Sequence, residues 1–225
     1  MKNTKTKKAI YWILDLALNV VVIFGIVIII QTWIVAPFDV SGKSMCDTLN
    51  IINGECVNDY GEKIIINEVL YLFKEPQRGE IVVFKIPHEN KSEEKYFIKR
   101  IIGVAGDKIK IENGEVFIQT KNSSEFIKLE EPYLNQYNKS NTKVYFEYNT
   151  EWEVPEDHYF LLGDNRNYST DSRTCFDGTQ TMSCKTDKNR AFVHKDIIRG
   201  KASIVWWPFK NMRTIKTTEY SELDN

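Results

Sequence analysis

The sequence predicts a mostly β fold, with a single N-terminal transmembrane helix followed by an antiparallel β-sheet domain that carries loop insertions. Three observations lead to this prediction. A long apolar run follows a lysine-rich start, short β-rich runs separated by turn residues fill the remainder, and no long helical period appears after Phe38. Short runs of this kind, bounded by turn residues, are typical of strands.

The apolar run over residues 9–32 predicts a membrane anchor. A stretch of about 20 apolar residues spans the hydrocarbon core of a bilayer as a helix. The segment before it, MKNTKTKK, carries four lysines, and positive charges stay on the inner side of a membrane. We therefore expect a cytoplasmic N-terminus over residues 1–8 and an extracytoplasmic β-rich domain over residues 33–225.

A cleavable signal peptide is the alternative explanation of this run. Such a peptide has a shorter apolar segment, which is followed by small residues in an A-x-A-like pattern. Here QTWIVAPF follows, and Val35 and Pro37 flank its single alanine. An uncleaved anchor therefore fits the sequence better.

The domain after the anchor contains regularly placed strand signals. The predicted strand regions cover residues 80–86, 96–104, 108–118, 158–164 and 201–207. The third region contains Asn113-Gly114, the strongest short-range signal for a hairpin. Two polar stretches, 119–150 and 174–190, predict loops or insertions.

The composition argues against nucleic-acid binding and against metal chemistry. The formal net charge is −1, so no basic field favours a nucleic acid as partner. The histidines, His88, His158 and His194, have no metal-ligand spacing, and no C-x-x-C occurs. We therefore expect no metal and no cofactor.

The cysteines indicate one disulfide. They are Cys46, Cys56, Cys175 and Cys184, and the last two close a short polar loop, CFDGTQTMSC. If that loop lies outside the cytosol, a disulfide between Cys175 and Cys184 is expected. Two free thiols are the alternative.

Four stretches are informative about function when their order is considered: VSGKSMCDTL, RGEIVVF, YFIKRIIGVAGD and LLGDNRNYSTDSR. In this order behind an N-terminal anchor, they closely resemble type I signal peptidases, the bacterial leader peptidases of the S26 family. The resemblance covers nearly the whole chain apart from the two polar stretches. It implies a membrane-anchored serine endopeptidase that removes N-terminal signal peptides from exported preproteins by a Ser/Lys dyad.

The resemblance also implies a role for each matching residue. Ser44 corresponds to the nucleophile, Lys99 to the general base, and Ser169 to the residue that holds the lysine amine. The remaining matches form two supporting pairs, Asp171 with Arg173 and Arg100 with Asp164.

The residue types favour the same dyad. A serine hydroxyl needs a base to remove its proton, and no histidine lies in a matching motif. A lysine acts as a base only when it is neutral, which requires desolvation. In the predicted strand, Phe97, Lys99 and Ile101 share one face, so two bulky apolar side chains flank the amine.

The substrate-binding residues are expected next to the dyad. Gly42 permits close approach of a substrate backbone, and the Ser44 N–H is the best candidate for binding the oxyanion. The strand that carries Lys99, including Phe97 or Ile101, is an expected pocket wall. The resemblance implies shallow pockets for small side chains at the residue before the scissile bond and two positions further back.

Two alternative functions share features with this one. A self-cleaving repressor-type protease shares the Ser/Lys dyad, but it is soluble and often carries a DNA-binding helix-turn-helix. A catalytically weak or inactive signal-peptidase-like protein would assist surface protein or pilus assembly, and such relatives lose the serine or the lysine. Both residues are present here, although Asp47 stands where the family usually has proline.

The implied location is the bacterial plasma membrane, as a single-pass protein with its N-terminus inside and its catalytic domain outside. The acceptor pattern Asn167-Tyr168-Ser169 would invite glycosylation of the site in an ER lumen, which favours a bacterial source. The implied partners are signal peptides of secretory preproteins and membrane lipid, with the protein translocation machinery nearby.

Overall fold

The structure, a computed structural model, describes residues 2–29, 35–86, 95–145, 150–177 and 187–223. The helices in these ranges are α1 (Lys2–Ile29) and α2 (Leu70–Phe73). The strands are β1 (Val35–Asp39), β2 (Ile51–Ile52), β3 (Glu55–Cys56), β4 (Lys63–Asn67), β5 (Ile81–Ile86), β6 (Lys95–Gly103), β7 (Lys108–Glu112), β8 (Glu115–Gln119), β9 (Ile127–Lys128), β10 (Glu151–Glu153), β11 (His158–Leu162), β12 (Val193–His194), β13 (Ile198–Trp207) and β14 (Arg213–Thr214).

Helix α1 overlaps the anchor predicted over residues 9–32, whose last residues lie outside the described ranges. Large apolar side chains along its middle, including Trp12 and Phe24, are exposed. Within the ranges given above, no helix combines the length and the apolar character that crossing a membrane requires.

An eight-stranded antiparallel sheet forms the centre of the β domain. Its order is β1-β4-β13-β5-β6-β11-β12, and β14 pairs with β13. Strand β6 lies between β5 and β11, with Val82 opposite Lys99 and with Arg100 opposite Leu162. This position buries the second half of β6, where the predicted base lies.

A second, four-stranded sheet with the order β10-β7-β8-β9 packs against the first. Its strands alternate buried and exposed side chains, as expected for a sheet with one solvated face. The buried face packs on Ile102, Phe160 and Leu162 of the first sheet. Each fully buried aliphatic side chain there contributes roughly 1.5–3 kcal/mol, which keeps the strands that carry the site in place.

The mostly β antiparallel prediction is confirmed, and each predicted strand region contains an observed strand. The predicted hairpin is the β7–β8 pair, in which Glu112 lies opposite Glu115. Asn113 and Gly114 both have positive φ, 51° and 80°, as this two-residue turn requires.

Four described strands of the main sheet were not predicted: β1, β4 and the two-residue strands β12 and β14. Strand β1 contains Pro37, which cannot donate to a ladder, but β1 lies at the sheet edge, where proline is tolerated. Strand β4 carries three consecutive isoleucines and so shows no alternation in sequence, although its burial alternates in the structure. The predicted 119–150 loop contains β9 and a segment that covers the site.

Candidate active site

Ser44 lies in a compact turn after β1, which we call the Ser44 turn (residues 42–50). Gly42 begins it with a φ of +83°, a conformation that glycine adopts without strain. Met45 and Leu49 are 1% and 0% exposed and pack in the core of the main sheet. These two buried side chains fix the turn, so the Ser44 hydroxyl has a defined position.

Lys99 approaches Ser44 from β6. Its side chain is 3% exposed, and Nζ lies 2.7 Å from Ser44 Oγ. The amine also donates to the Ile98 carbonyl at 2.8 Å. A buried amine within hydrogen-bond distance of a hydroxyl is the arrangement that removal of the hydroxyl proton requires.

The environment of Lys99 favours its neutral form. Burial, against the opposing charges of Asp171 and Asp164 and with help from the charge of Lys95, lowers the pKa of Lys99 to about 8. Desolvation penalises the ammonium form because water no longer solvates the charge. A substantial fraction of the amine is therefore neutral slightly above neutral pH.

Ser169 lies beside the dyad but is not hydrogen-bonded to the lysine. Its buried hydroxyl makes no hydrogen bond to the Lys99 amine among the described residues, and it helps to lower the pKa of Asp171 as a hydrogen-bond donor. A Cβ at Gly163 would collide with the Ser169 side chain and with the Ser44 carbonyl, so only glycine fits between them. The predicted contact of Ser169 with the Lys99 amine is thus absent from this structure.

Asp171 and Arg173 form a fully buried ion pair. Arg173 donates Nη2 and Nε to the carboxylate at 2.8 and 2.9 Å, and Gly163 N–H donates to it at 3.1 Å. Burial would raise the pKa of Asp171, but the Arg173 charge and hydrogen bonds hold it below its ordinary value. The carboxylate therefore stays charged and orders the segment that carries Ser169.

Arg100 and Asp164 form the second buried pair. Arg100 donates Nη2 and Nε to the carboxylate at 2.7 and 2.9 Å. Thr48 of the Ser44 turn donates its hydroxyl to the same carboxylate at 2.5 Å. Because Arg100 follows Lys99 on β6, this pair connects the strand that carries Lys99 to the turn that carries Ser44.

A third buried pair was not predicted from the sequence. Arg166 donates both Nη atoms to Glu131, and it also bonds Thr142 Oγ1 at 2.8 Å and Tyr133. Arg166 belongs to the LLGDNRNYSTDSR stretch, whereas Glu131 lies in the polar stretch predicted as a loop. That stretch thus supplies the counter-ion of a buried arginine. The signal available in the sequence was the arginine itself, which lies inside a motif and needs a partner when it is buried.

The structure also contains a disulfide between Cys46 and Cys56, which the sequence analysis did not identify. It joins the Ser44 turn to β3 and closes a short loop. Cys175 is disulfide-bonded as well. Its predicted partner, Cys184, lies outside the described residues, so the Cys175–Cys184 pairing stays a prediction.

An open groove of about 680 Å³ runs past the dyad. Its walls include Gly42, Ser44, Phe97 and Lys99. Ile101, the other predicted wall, is fully buried in a core cluster with Phe84 and does not line this groove. Within the described ranges, no cluster of His, Cys, Asp or Glu could hold a metal ion.

Comparisons with known proteins identify the family of this chain. Residues 13–207 match the model of the family described as signal peptidase, peptidase S26. The chain is 29% identical to signal peptidase IB of Staphylococcus aureus (strain COL), over 92% of this chain and 94% of the relative. It is 31% identical to signal peptidase I U of Bacillus subtilis (strain 168), over 88% and 90%.

A solved signal peptidase I from Enterococcus faecalis V583 is 26% identical and covers 58% of this chain, and the match spans 98% of the solved chain. The TM-score of this match is 0.38. The family match and the curated relatives each extend over most of the sequence. The chain therefore belongs to the signal peptidase family, peptidase S26, a family of serine hydrolases.

Proposed function

We propose that this protein removes N-terminal signal peptides from exported preproteins, with Ser44 as nucleophile and Lys99 as general base. The observation that carries the proposal is the 2.7 Å distance between Ser44 Oγ and the buried Lys99 Nζ. The curated relatives named above are signal peptidases, which supports the substrate class.

The proposed reaction proceeds in two steps through an acyl-enzyme. Neutral Lys99 takes the Ser44 proton while Oγ attacks the scissile carbonyl carbon. The Ser44 N–H stabilises the oxyanion, and Gly42 leaves room for the substrate backbone. The lysine ammonium then protonates the leaving amine of the mature protein, and neutral Lys99 activates the water that hydrolyses the Ser44 ester.

The groove runs along one edge of β6, where a substrate strand could be added. Strand β5 pairs with β6 from Lys95 to Arg100, whereas β11 pairs with β6 only from Arg100 onward. In the described part of the chain, the opposite edge of residues 95–99 therefore faces the groove. A signal peptide that adds here as a strand would present alternate side chains to the enzyme.

We expect strong selection for small residues at the two pocket positions. A preprotein with A-x-A before the scissile bond should be cleaved at least about tenfold faster than one with Leu or Phe at either small position, because a shallow pocket rejects bulk by steric clash. Steady-state kcat/KM, with the new N-terminus identified by mass spectrometry, measures this. A precursor with Leu at the middle position is the matched control and should be cleaved normally.

Equal cleavage rates for the A-x-A precursor and for the precursors with Leu or Phe at a small position would exclude the proposed pockets. Absence of any cleavage by the folded full-length protein would contradict the proposed function itself. Cleavage at these sites would also exclude the alternative of an inactive protein that only assists surface or pilus assembly.

The membrane location is part of the same proposal. The exposed apolar side chains of α1, the lysine-rich start and the apolar run to residue 32 support an anchor over residues 9–32. In this arrangement the β domain lies outside a bacterial plasma membrane, close to membrane lipid and the protein translocation machinery. An extended chain covers about 3.3–3.6 Å per residue, so the short connection keeps Ser44 near the outer surface.

The anchor leads to a testable expectation. The full-length protein should remain in the membrane fraction after alkaline extraction, because a spanning helix does not dissociate like a surface-bound domain. A chain that begins at residue 36 is the control and should be released. Complete extraction of the full-length protein would exclude the anchor but would leave the proposed chemistry untouched.

A further inference from the structure

Residues 129–145, which we call the covering segment, contact the Ser44 turn through Asp47. The Asp47 carboxylate accepts a bond from Asn135 N–H at 2.7 Å and from Asn135 Nδ2 at 2.8 Å. Asn138 Nδ2 lies 3.0 and 3.1 Å from the two carboxylate oxygens. Both oxygens of this half-buried carboxylate are thus bound by the same short stretch of chain.

Asn138 connects that stretch to a second part of the site. Its side chain is 3% exposed, so it has little contact with water. While its Nδ2 faces Asp47, its Oδ1 accepts from Asn167 N–H at 3.1 Å and from Asn167 Nδ2 at 3.0 Å. A buried amide that satisfies donors and acceptors on two separate segments fixes their relative position.

The segment reached through Asn167 contacts the Ser44 backbone directly. Asn165 N–H donates to the Ser44 carbonyl at 3.0 Å, and Asn165 Nδ2 donates to the Lys43 carbonyl at 3.1 Å. Asp47, Asn138 and Asn167 therefore close a ring of contacts that begins and ends on the Ser44 turn.

We propose that Asp47 and Asn138 are positioning residues, which hold the Ser44 turn against residues 163–173 and so set the distance between Ser44 and Lys99. This inference rests on the proposed Ser44–Lys99 chemistry. Neither side chain lines the groove, so their action passes through the Ser44 turn.

The residue type at position 47 explains why the hydrogen bonds between Asp47 and Asn138 matter for the Ser44 turn. Proline would restrict the backbone of the turn by its fixed φ, whereas aspartate leaves the backbone freer. Here the carboxylate replaces that restriction with hydrogen bonds to the covering segment. Because a displacement of about 1 Å can cost about 100-fold in rate, loss of the link should be visible in catalysis.

The test compares Asp47→Ala, Asn138→Ala and the double variant in the full-length protein, with an A-x-A preprotein as substrate. Each single variant should lower kcat by about tenfold with little change in KM, because the groove is retained while the dyad is misaligned. Asp47→Asn, which keeps the shape and loses half of the acceptor capacity, should fall between Asp47→Ala and the wild type.

Coupling of the two residues distinguishes positioning from general stabilisation. If they act as one link, the double variant should lose no more than the worse single variant. Glu156→Ala is the matched control, since it removes an acid from an exposed ion pair with Lys121 and should leave kcat unchanged. Thermal unfolding of each variant establishes that the folded fraction is the same.

If the wild type is active and kcat is unchanged in Asp47→Ala and Asn138→Ala, the two residues are not positioning residues. The proposed function would then remain intact. Multiplied losses in the double variant would also overturn the positioning role, since independent contributions would then explain the data. An inactive wild type would instead contradict the proposed function. If Asp47→Ala does not fold, the kcat of Asp47→Asn decides in the same way.

Discussion

Replacing Ser44 or Lys99 with alanine is expected to lower kcat/KM for signal-peptide cleavage by about 10⁴-fold or more. Ser44→Ala removes the attacking oxygen, and Lys99→Ala removes the base that lies 2.7 Å from it. Because the two groups act as a unit, the double variant should be no less active than either single variant. Initial rates on an A-x-A preprotein, followed by mass spectrometry, measure the loss.

Lys99→Arg is the most informative variant of this set. Arginine keeps the positive charge and most of the side-chain length, but it remains protonated and cannot accept the Ser44 proton. We expect it to be as inactive as Lys99→Ala. Lys128→Arg, at an exposed ion pair with Glu115, is the matched control and should retain full activity. Activity in folded Lys99→Arg would rule out Lys99 as the base.

Much of the candidate site was predictable because its members lie in local motifs. The S-M, K-R and G-D-N-R stretches identified Ser44, Lys99, Arg100 and Asp164, and the structure brings these residues together. The strand alternation that placed Phe97 and Lys99 on one face is also observed, since Lys99 Nζ lies 5.6 Å from the centre of the Phe97 ring. Sequence motifs and strand alternation were sufficient to predict those site residues whose positions depend on neighbours in the same strand or turn.

Ile101 shows where the periodic argument ends. It shares the face of Lys99 in sequence, but β11 pairs with β6 from Arg100 onward and the core covers the strand there. The alternation predicts which side of a strand a residue faces. The neighbouring strands decide whether that side is a groove or a core, and their arrangement was unknown from the sequence.

The covering segment shows a second kind of limit. Glu131 and Asn138 bind Arg166 and Asp47 across long sequence separations, from a stretch with no regular period. Local propensity carries no information about such contacts, so the stretch was predicted as a loop. The disulfide between Cys46 and Cys56 was not predicted, because cysteine spacing does not determine connectivity and the short polar loop favoured Cys175 and Cys184 as a pair.

The site has an unusual number of buried charges, and they explain how the lysine can work beside carboxylates. Arg173 and Arg100 neutralise Asp171 and Asp164 through paired hydrogen bonds. Without these arginines, the two carboxylates would stabilise the ammonium form of Lys99 more strongly. Removing one partner of a buried pair typically costs about 3–5 kcal/mol, because it leaves an unpaired charge in the protein interior.

The pH dependence of cleavage should therefore report the ionisation of Lys99. Its pKa is lowered to about 8 by burial, and only the neutral amine accepts the Ser44 proton. Well below this value the neutral fraction falls about tenfold per pH unit, so kcat/KM should decrease about 50-fold from pH 8 to pH 6 and level off above about pH 9. Initial rates across this range, with folding monitored at each pH, give the midpoint.

Lys95 offers a directional control for this assignment. Its charge contributes to the lowered pKa of Lys99, so Lys95→Met should move the midpoint upward. Lys128→Met, which removes a lysine on the other sheet, should leave the midpoint unchanged. A rate that stays flat from mildly acidic to alkaline pH would mean that no group with this pKa limits cleavage. A midpoint that moves equally in both variants would show a general charge effect rather than the ionisation of the amine beside Ser44.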